Sequence, residues 1–278
     1  MEALYVFFLL HYEFHSQINV LFSMASNSNQ TGIAFGGGAV LGAAHVGVAK
    51  AFLEGGVVPG CVSGTSIGAF VAAHIAFGTP VNTLEEIARE LDWLDITAFK
   101  FSKMGILTNE RMGKNILDHF GKVQIEEADI PLSMIATDLC TGKKVVLDKG
   151  PLYKAVMASA CLPGIFTPVE WDEMLLVDGV LSENVPVSPL IGRCADIIAI
   201  DLTSNREYKR PENVIDVLSN TFDIGLNNMV IEQLEDENIR WLRPSLSAYN
   251  MADTRQVEKL IDEGYKTGVA FLTEEAGR

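Results

Sequence analysis

Histidine is scarce in this chain: His11, His15, His45, His74 and His119 are the only five in 278 residues, and none follows position 119. A triad in the α/β-hydrolase order runs Ser, then Asp or Glu, then His, with the histidine after the last strands. Here Asp92 or Asp95 with His119 would satisfy that order only by compressing it into the stretch that begins at Ser66. HExxH, paired-histidine and clustered-carboxylate spacings are missing too, so neither a metal nor a cofactor is expected. Basic residues are also few, 21 Lys and Arg against 36 Asp and Glu, for a net charge of -15. Nothing would offset phosphate repulsion, which excludes a nucleic-acid partner. The same acidity argues against permanent attachment to anionic lipid and leaves a local apolar patch as the means of touching a membrane surface.

The four cysteines, Cys61, Cys140, Cys161 and Cys194, show no CxxC spacing and lie in apolar surroundings. They read as buried thiols of a reducing compartment, with a disulfide pair as the alternative, so a cytoplasmic protein, peripheral to membrane at most, is expected. The apolar run Met1 to Leu10 is too short to cross a bilayer as a helix and has no basic residue before Tyr5, as a secretory signal would. Residues 1–30 are therefore expected to be an extension outside the fold, with Met24 to Gln30 a polar lead-in and Met24 a candidate translation start. With no repeat, linker or low-complexity block, residues 31–278 are expected to form one domain.

What is present begins with Thr31 to Phe35, a strand-like run that passes into Gly36-Gly37-Gly38 and then a helix over Ala43 to Leu53. Val57 to Val62 followed by Ile67 to Phe77 repeats the strand-then-helix pattern, which predicts an α/β fold: a mainly parallel central sheet in a three-layer α/β/α arrangement. Further on, Leu84 to Leu91 and Leu107 to Phe120 read as helices, and Leu132 to Thr137 with Lys143 to Leu147 as a hairpin. Leu152 to Ala160 reads as a short helix, Met174 to Val177 and Asp196 to Ile200 as strands, and Ile239 to Leu242 as a short strand. Long amphipathic helices are expected over Val214 to Leu234 and Val257 to Leu272. The aromatic stretch Trp93 to Phe101 has no clear period and reads as core packing or as a cap over an acyl channel.

Between the second strand and its helix lies Gly64-Thr65-Ser66-Ile67-Gly68. A small-x-Ser-x-small pentapeptide at a strand-to-helix turn is the form of a nucleophile elbow, which pushes the serine out at the sheet edge. Ser66 is thus a candidate nucleophile. With no histidine after position 119 to complete a triad past the last strands, its proton acceptor must be a carboxylate or a lysine. Asp178 ends a strand and precedes Gly179, a place from which a carboxylate can enter a cleft, but Asp-Gly is also the commonest hairpin turn, and spacing alone favours the turn. His45 and His74 read as hydrogen-bonded structural histidines. Gly36, Gly37 and Gly38 open a helix with unobstructed amides, suited to a phosphate or a developing oxyanion. Dinucleotide binding is disfavoured, because Leu41 stands where the third glycine of GxGxxG belongs.

Gly36-Gly37-Gly38, Gly64-Thr65-Ser66-Ile67-Gly68, and Asp178-Gly179 preceded by Ala158-Ser159-Ala160-Cys161-Leu162-Pro163-Gly164-Ile165-Phe166 together resemble a bacterial patatin-like phospholipase from about Thr31 to at least Leu202. The resemblance implies a Ser66–Asp178 dyad, an oxyanion hole from the Gly36 to Gly38 amides, and hydrolysis of lipid acyl esters, phospholipid or lysophospholipid, without a metal. It leaves the oligomeric state open. Two positions depart from the family pattern. Val40 and Leu41 stand where Arg or Lys usually follows the glycines, and Asp178-Gly179-Val180 replaces Asp-Gly-Gly. Two other outcomes of the same fold are an acyltransferase and a silent lipid-binding protein. Malonyl-CoA acyltransferases, which share a related core, carry His before the elbow serine, where this chain has Thr65.

Overall fold

The computed structural model describes residues 30–90, 99–102, 105–107, 109–204, 210, 211, 220, 224, 239–251 and 253–276. In chain order the elements are β1 (Thr31–Phe35), α1 (Ala43–Glu54), β2 (Cys61–Thr65), α2 (Ile67–Ala76), α3 (Val81–Glu90), β3 (Phe99–Ser102), β4 (Gly105–Leu107) and α4 (Glu110–Phe120). There follow β5 (Leu132–Asp138), β6 (Lys144–Leu147), α5 (Leu152–Ser159), β7 (Val169–Trp171), β8 (Met174–Asp178), β9 (Asp196–Ile200), β10 (Ile239–Leu242) and α6 (Val257–Ala276).

The main sheet is mixed and mostly parallel. Strands β10, β9, β1, β2 and β5 run parallel in that order, while β6 and β8 pair antiparallel with β5 and β7 pairs antiparallel with β8. Strand alternation sorts the side chains between two faces. Ile33, Phe35, Val62, Met134, Ile198 and Ile200 join the helices in one large core, whose members come from α1 to α6. On the other face Ala34, Cys61, Ile197 and Ala199 are covered by Val185, Val187 and Leu190 of the segment after β8. Helices α1 and α6 cross at backbone contact: a Cβ at Gly47 would lie 2.6 Å from the Tyr265 nitrogen, and one at Gly268 would lie 2.7 Å from the Ala51 Cβ.

The expected α/β class and most elements are present, with several differences. Strand β2 starts at Cys61 rather than Val57, because Pro59-Gly60 turns the chain before the ladder begins. Helix α4 starts at Glu110, since Gly105–Leu107 is a strand paired with β3. The three-residue strand β7 was not anticipated. Cys61 and Cys194 are joined as a disulfide rather than held as thiols. Gly32 of β1 makes room for it, since a Cβ there would lie 3.0 Å from the Cys194 sulfur. Cys161 is buried as expected, but Cys140 is exposed in the β5–β6 turn. Nearly all of the helix expected over Val214 to Leu234, residues 1–29 and most of the Trp93 to Phe101 stretch lie outside the described residues. No helix among the described residues is long and apolar enough to cross a membrane.

Candidate active site

Strand β5 brings the two candidate reacting groups together. Its residues Leu132 to Ile135 pair with β2, and Ala136 to Asp138 pair with β8, while β6 pairs with Met134 to Thr137. Because β6 overlaps both partners and a strand has only two edges, β2 and β8 must share the other edge. They run in opposite directions along it. Their C-terminal ends therefore meet head to head at Ile135 and Ala136, and Ser66, one residue past β2, faces Asp178, the last residue of β8. The Ser66 hydroxyl donates to Asp178 Oδ2 at 2.7 Å across 112 positions of sequence.

Ser66 adopts φ 56°, ψ -123°, a conformation that costs a non-glycine residue about 1–3 kcal/mol and persists only when its surroundings impose it. Two clamps do so. The Ser66 N–H donates to Ser159 Oγ at 3.0 Å, and that buried hydroxyl donates to the Ile135 carbonyl at 2.6 Å. On the other side, the Thr65 hydroxyl donates to the Glu183 carbonyl at 2.9 Å. Helix α2 starts at Ile67, so the positive end of its dipole lies at the serine.

Asp178 is 2% exposed. Its Oδ1 accepts from the Val180 N–H at 3.0 Å, and both this bond and the one from Ser66 favour the charged form. Burial outweighs them and pushes the carboxyl up to about 7. A group poised there accepts a hydroxyl proton far better than an ordinary surface carboxylate. Cys161, whose carbonyl accepts the Asp178 N–H at 2.9 Å, has its thiol pushed up to about 12 by burial and by the Asp178 charge.

The glycine loop abuts this pair: a Cβ at Gly37 would lie 3.4 Å from the Ser66 Cβ and 2.6 Å from Val180 Cγ1. The sequence expectation that all three glycine amides face the site is not met. The Gly36 N–H donates to the Ile200 carbonyl at 3.1 Å and the Gly37 N–H to the Asn184 carbonyl at 3.2 Å. Among the described residues none accepts from the Gly38 N–H, and it is the remaining glycine donor. His45 is a structural residue: fully buried, held near 4 by that burial, it places Nε2 2.7 Å from the Gly36 carbonyl. His74 is likewise buried, and held near 3 by that burial and by the neighbouring His119.

The two departures from the family pattern now have structural readings. Val40 and Leu41 are fully buried in the short turn Ala39–Gly42, and the Val40 N–H donates to the Met251 carbonyl at 3.1 Å, so this loop is anchored without a cation. Val180 sits in a 3-10 turn that Asp178 caps, its N–H on the carboxylate and its side chain against Gly37. Ser159, Glu183 and Asn184 had no role in the sequence reading. Ser159 lies inside the stretch Ala158 to Phe166, and Glu183 and Asn184 lie just past Asp178-Gly179, which was the one signal pointing to them.

Fold and site define an α/β protein in which an elbow serine is hydrogen-bonded directly to a buried carboxylate. The chain belongs to the patatin-like phospholipase family, whose sequence profile matches residues 33–191. It is 35% identical over 184 residues to an uncharacterized NTE family protein of Mycobacterium bovis, covering 65% of this chain and 51% of that one. It is 27% identical over 282 residues to the neuropathy target esterase sws of Drosophila melanogaster, covering 88% of this chain and 20% of that protein. The Lysophospholipase NTE1 of Phaeosphaeria nodorum is 25% identical over 276 residues, covering 87% of this chain and 18% of that one. The chain thus spans about half the length of the mycobacterial relative and about a fifth of the other two. VipD from Legionella pneumophila has a similar fold, with a TM-score of 0.56 at 12% identity, covering 89% of this chain and 67% of that one.

Proposed function

We propose that the chain is a lipid acyl hydrolase in which Ser66 is the nucleophile and Asp178 the general base, acting in one domain over residues 31–278. The observation that carries this reading is the 2.7 Å hydrogen bond between Ser66 and a carboxylate poised near neutrality. Asp178 takes the hydroxyl proton as Ser66 attacks the ester carbonyl, and the Gly38 amide receives the tetrahedral oxyanion. The alcohol leaves with the proton from Asp178 and an acyl-serine remains. Asp178 then deprotonates water, which releases the fatty acid and restores the hydroxyl. A relative named as a lysophospholipase and another as an esterase support acyl esters of lipids as the substrate class. Substrate is met by transient contact with a lipid surface.

The test is a panel of lysophospholipid, diacyl phospholipid and short-chain ester given to wild type and Ser66→Ala, with and without glycerol as an acceptor. Fatty acid released from a lipid ester by wild type alone is the expected result. Equal release by both proteins refutes the role of Ser66. Transfer to glycerol in place of free acid makes the chain an acyltransferase.

A further inference from the structure

One strap, the segment that follows Asp178, bonds to the base, to the elbow and to the glycine loop. Within it, the Val180 N–H binds Asp178 Oδ1 at 3.0 Å, the Glu183 carbonyl accepts from Thr65 Oγ1 at 2.9 Å, and the Asn184 carbonyl accepts from the Gly37 N–H at 3.2 Å. The Pro186 carbonyl accepts from the Ser63 hydroxyl. Base, elbow and glycine loop, which β5 brings together, are therefore all bonded to the same few residues.

The strap is fixed by a charge pair that touches none of the reacting atoms. The Glu183 side chain is 1% exposed, and its Oε1 accepts from the Ser188 N–H at 2.8 Å. Its Oε2 accepts from the Ser188 hydroxyl at 2.6 Å and from Lys144 Nζ at 2.9 Å. Lys144 stands on β6, and its side chain is 37% exposed. It pairs across the ladder with Thr137, whose hydroxyl donates to the Asp178 carbonyl at 3.0 Å and lies 2.9 Å from Ser182 Oγ. A carboxylate buried this deeply is held in place by its cation, and without the cation it is driven to move toward water.

We propose that Lys144 and Glu183 are positioning residues: their ion pair sets the register of the strap and, through Thr65, Gly37 and Val180, the alignment of Ser66 with Asp178. This rests on the hydrolase reading above. It makes the reactivity of the serine depend on a lysine ammonium at the protein surface, so that neutralising that one charge slows acylation without altering any group that touches substrate.

The experiment measures the rate of fluorophosphonate labelling of Ser66, and kcat and KM for an ester substrate, in wild type, Lys144→Gln, Lys144→Arg, Glu183→Gln and the Lys144→Gln/Glu183→Gln double variant, with thermal unfolding followed separately. Misalignment by about 1 Å costs on the order of 100-fold, so Lys144→Gln is expected to slow labelling and kcat by about 10- to 100-fold with KM little changed. Lys144→Arg is expected to restore the rate, and the double variant to be no slower than Lys144→Gln, because removing the buried charge removes the force that displaces the strap. Labelling of Lys144→Gln at the wild-type rate overturns the proposal while leaving the hydrolase reading intact. So does an arginine variant as slow as the glutamine one, or a rate loss that only tracks loss of fold. Wild type that is not labelled at Ser66 overturns both.

Discussion

Replacing Asp178 with asparagine removes the proposed base and should also stabilise the protein increasingly as pH rises. Asparagine keeps the shape and both hydrogen bonds: its carbonyl can accept from the Val180 N–H, and its amide can donate to Ser66 Oγ. What it removes is a charge at a site 2% exposed. The folded carboxyl releases its proton near 7, whereas its ordinary value is 3.8. Between those values the unfolded chain is ionised and the folded one is protonated. A folded value raised in this way gives stability that is fully present below the unfolded value, declines as pH rises, and is gone once pH has passed the folded value. From about pH 5.5 to about pH 8.5 the wild type should lose about 2 kcal/mol from this one group, most of it below pH 7, and the asparagine variant should lose none of it. All other titrations are shared and cancel in the difference. In a domain of this size the gap in melting temperature should therefore widen by about 4–8 °C across that range. Thermal unfolding of both proteins in matched buffers measures it. A gap that stays constant or narrows with pH would show that the folded carboxyl titrates as an exposed one does, and the argument for a desolvated base would fail.

Ser159→Ala should cost about 1–3 kcal/mol, because it leaves the buried Ser66 N–H and Ile135 carbonyl unpaired, and should slow Ser66 labelling, while Ser159→Thr restores part of both if the hydroxyl is what matters. Gly47→Ala and Gly264→Ala should each lower the melting temperature without a site effect beyond that loss: a Cβ at the first falls on the Ile261 carbonyl and at the second on the Ala44 carbonyl, and backbone at a helix crossing cannot step aside. Overpacking of this kind costs about 1–3 kcal/mol, readable by denaturant unfolding.

The elbow was legible because local signals agree there: an apolar run, small residues on either side of a serine, then an apolar helix. The edge of β2 was misread because the apolar residues before Cys61 continue through Pro59-Gly60, and hydropathy alone does not register the missing donor of a proline. Asp178 stands at a strand end, but its local sequence favours a turn, and only the family resemblance makes it the base. What separates the two is the sharing of one β5 edge by β2 and β8, a fact of strand order that no local pattern carries. The oxyanion loop was over-read for the same reason. Consecutive glycines promise free amides, but the acceptors that take two of them, Ile200 and Asn184, lie far along the chain. Glu183 was invisible as a site residue, since a glutamate in a loop is ordinarily solvated, and Ser159 stood within the Ala158 to Phe166 motif with nothing local to give it a role.

The central claim is that Ser66 is made nucleophilic by Asp178 acting directly as its base, with no histidine between them. The direct measurement is the rate of fluorophosphonate adduct formation, mapped by peptide mass, against pH in wild type and Asp178→Asn. The carboxylate is the active form, so the adduct is predicted on Ser66, forming faster as pH rises through about 7 and levelling above it, with the asparagine variant unreactive throughout. An adduct on another residue, or an asparagine variant that labels at the wild-type rate, would contradict the account.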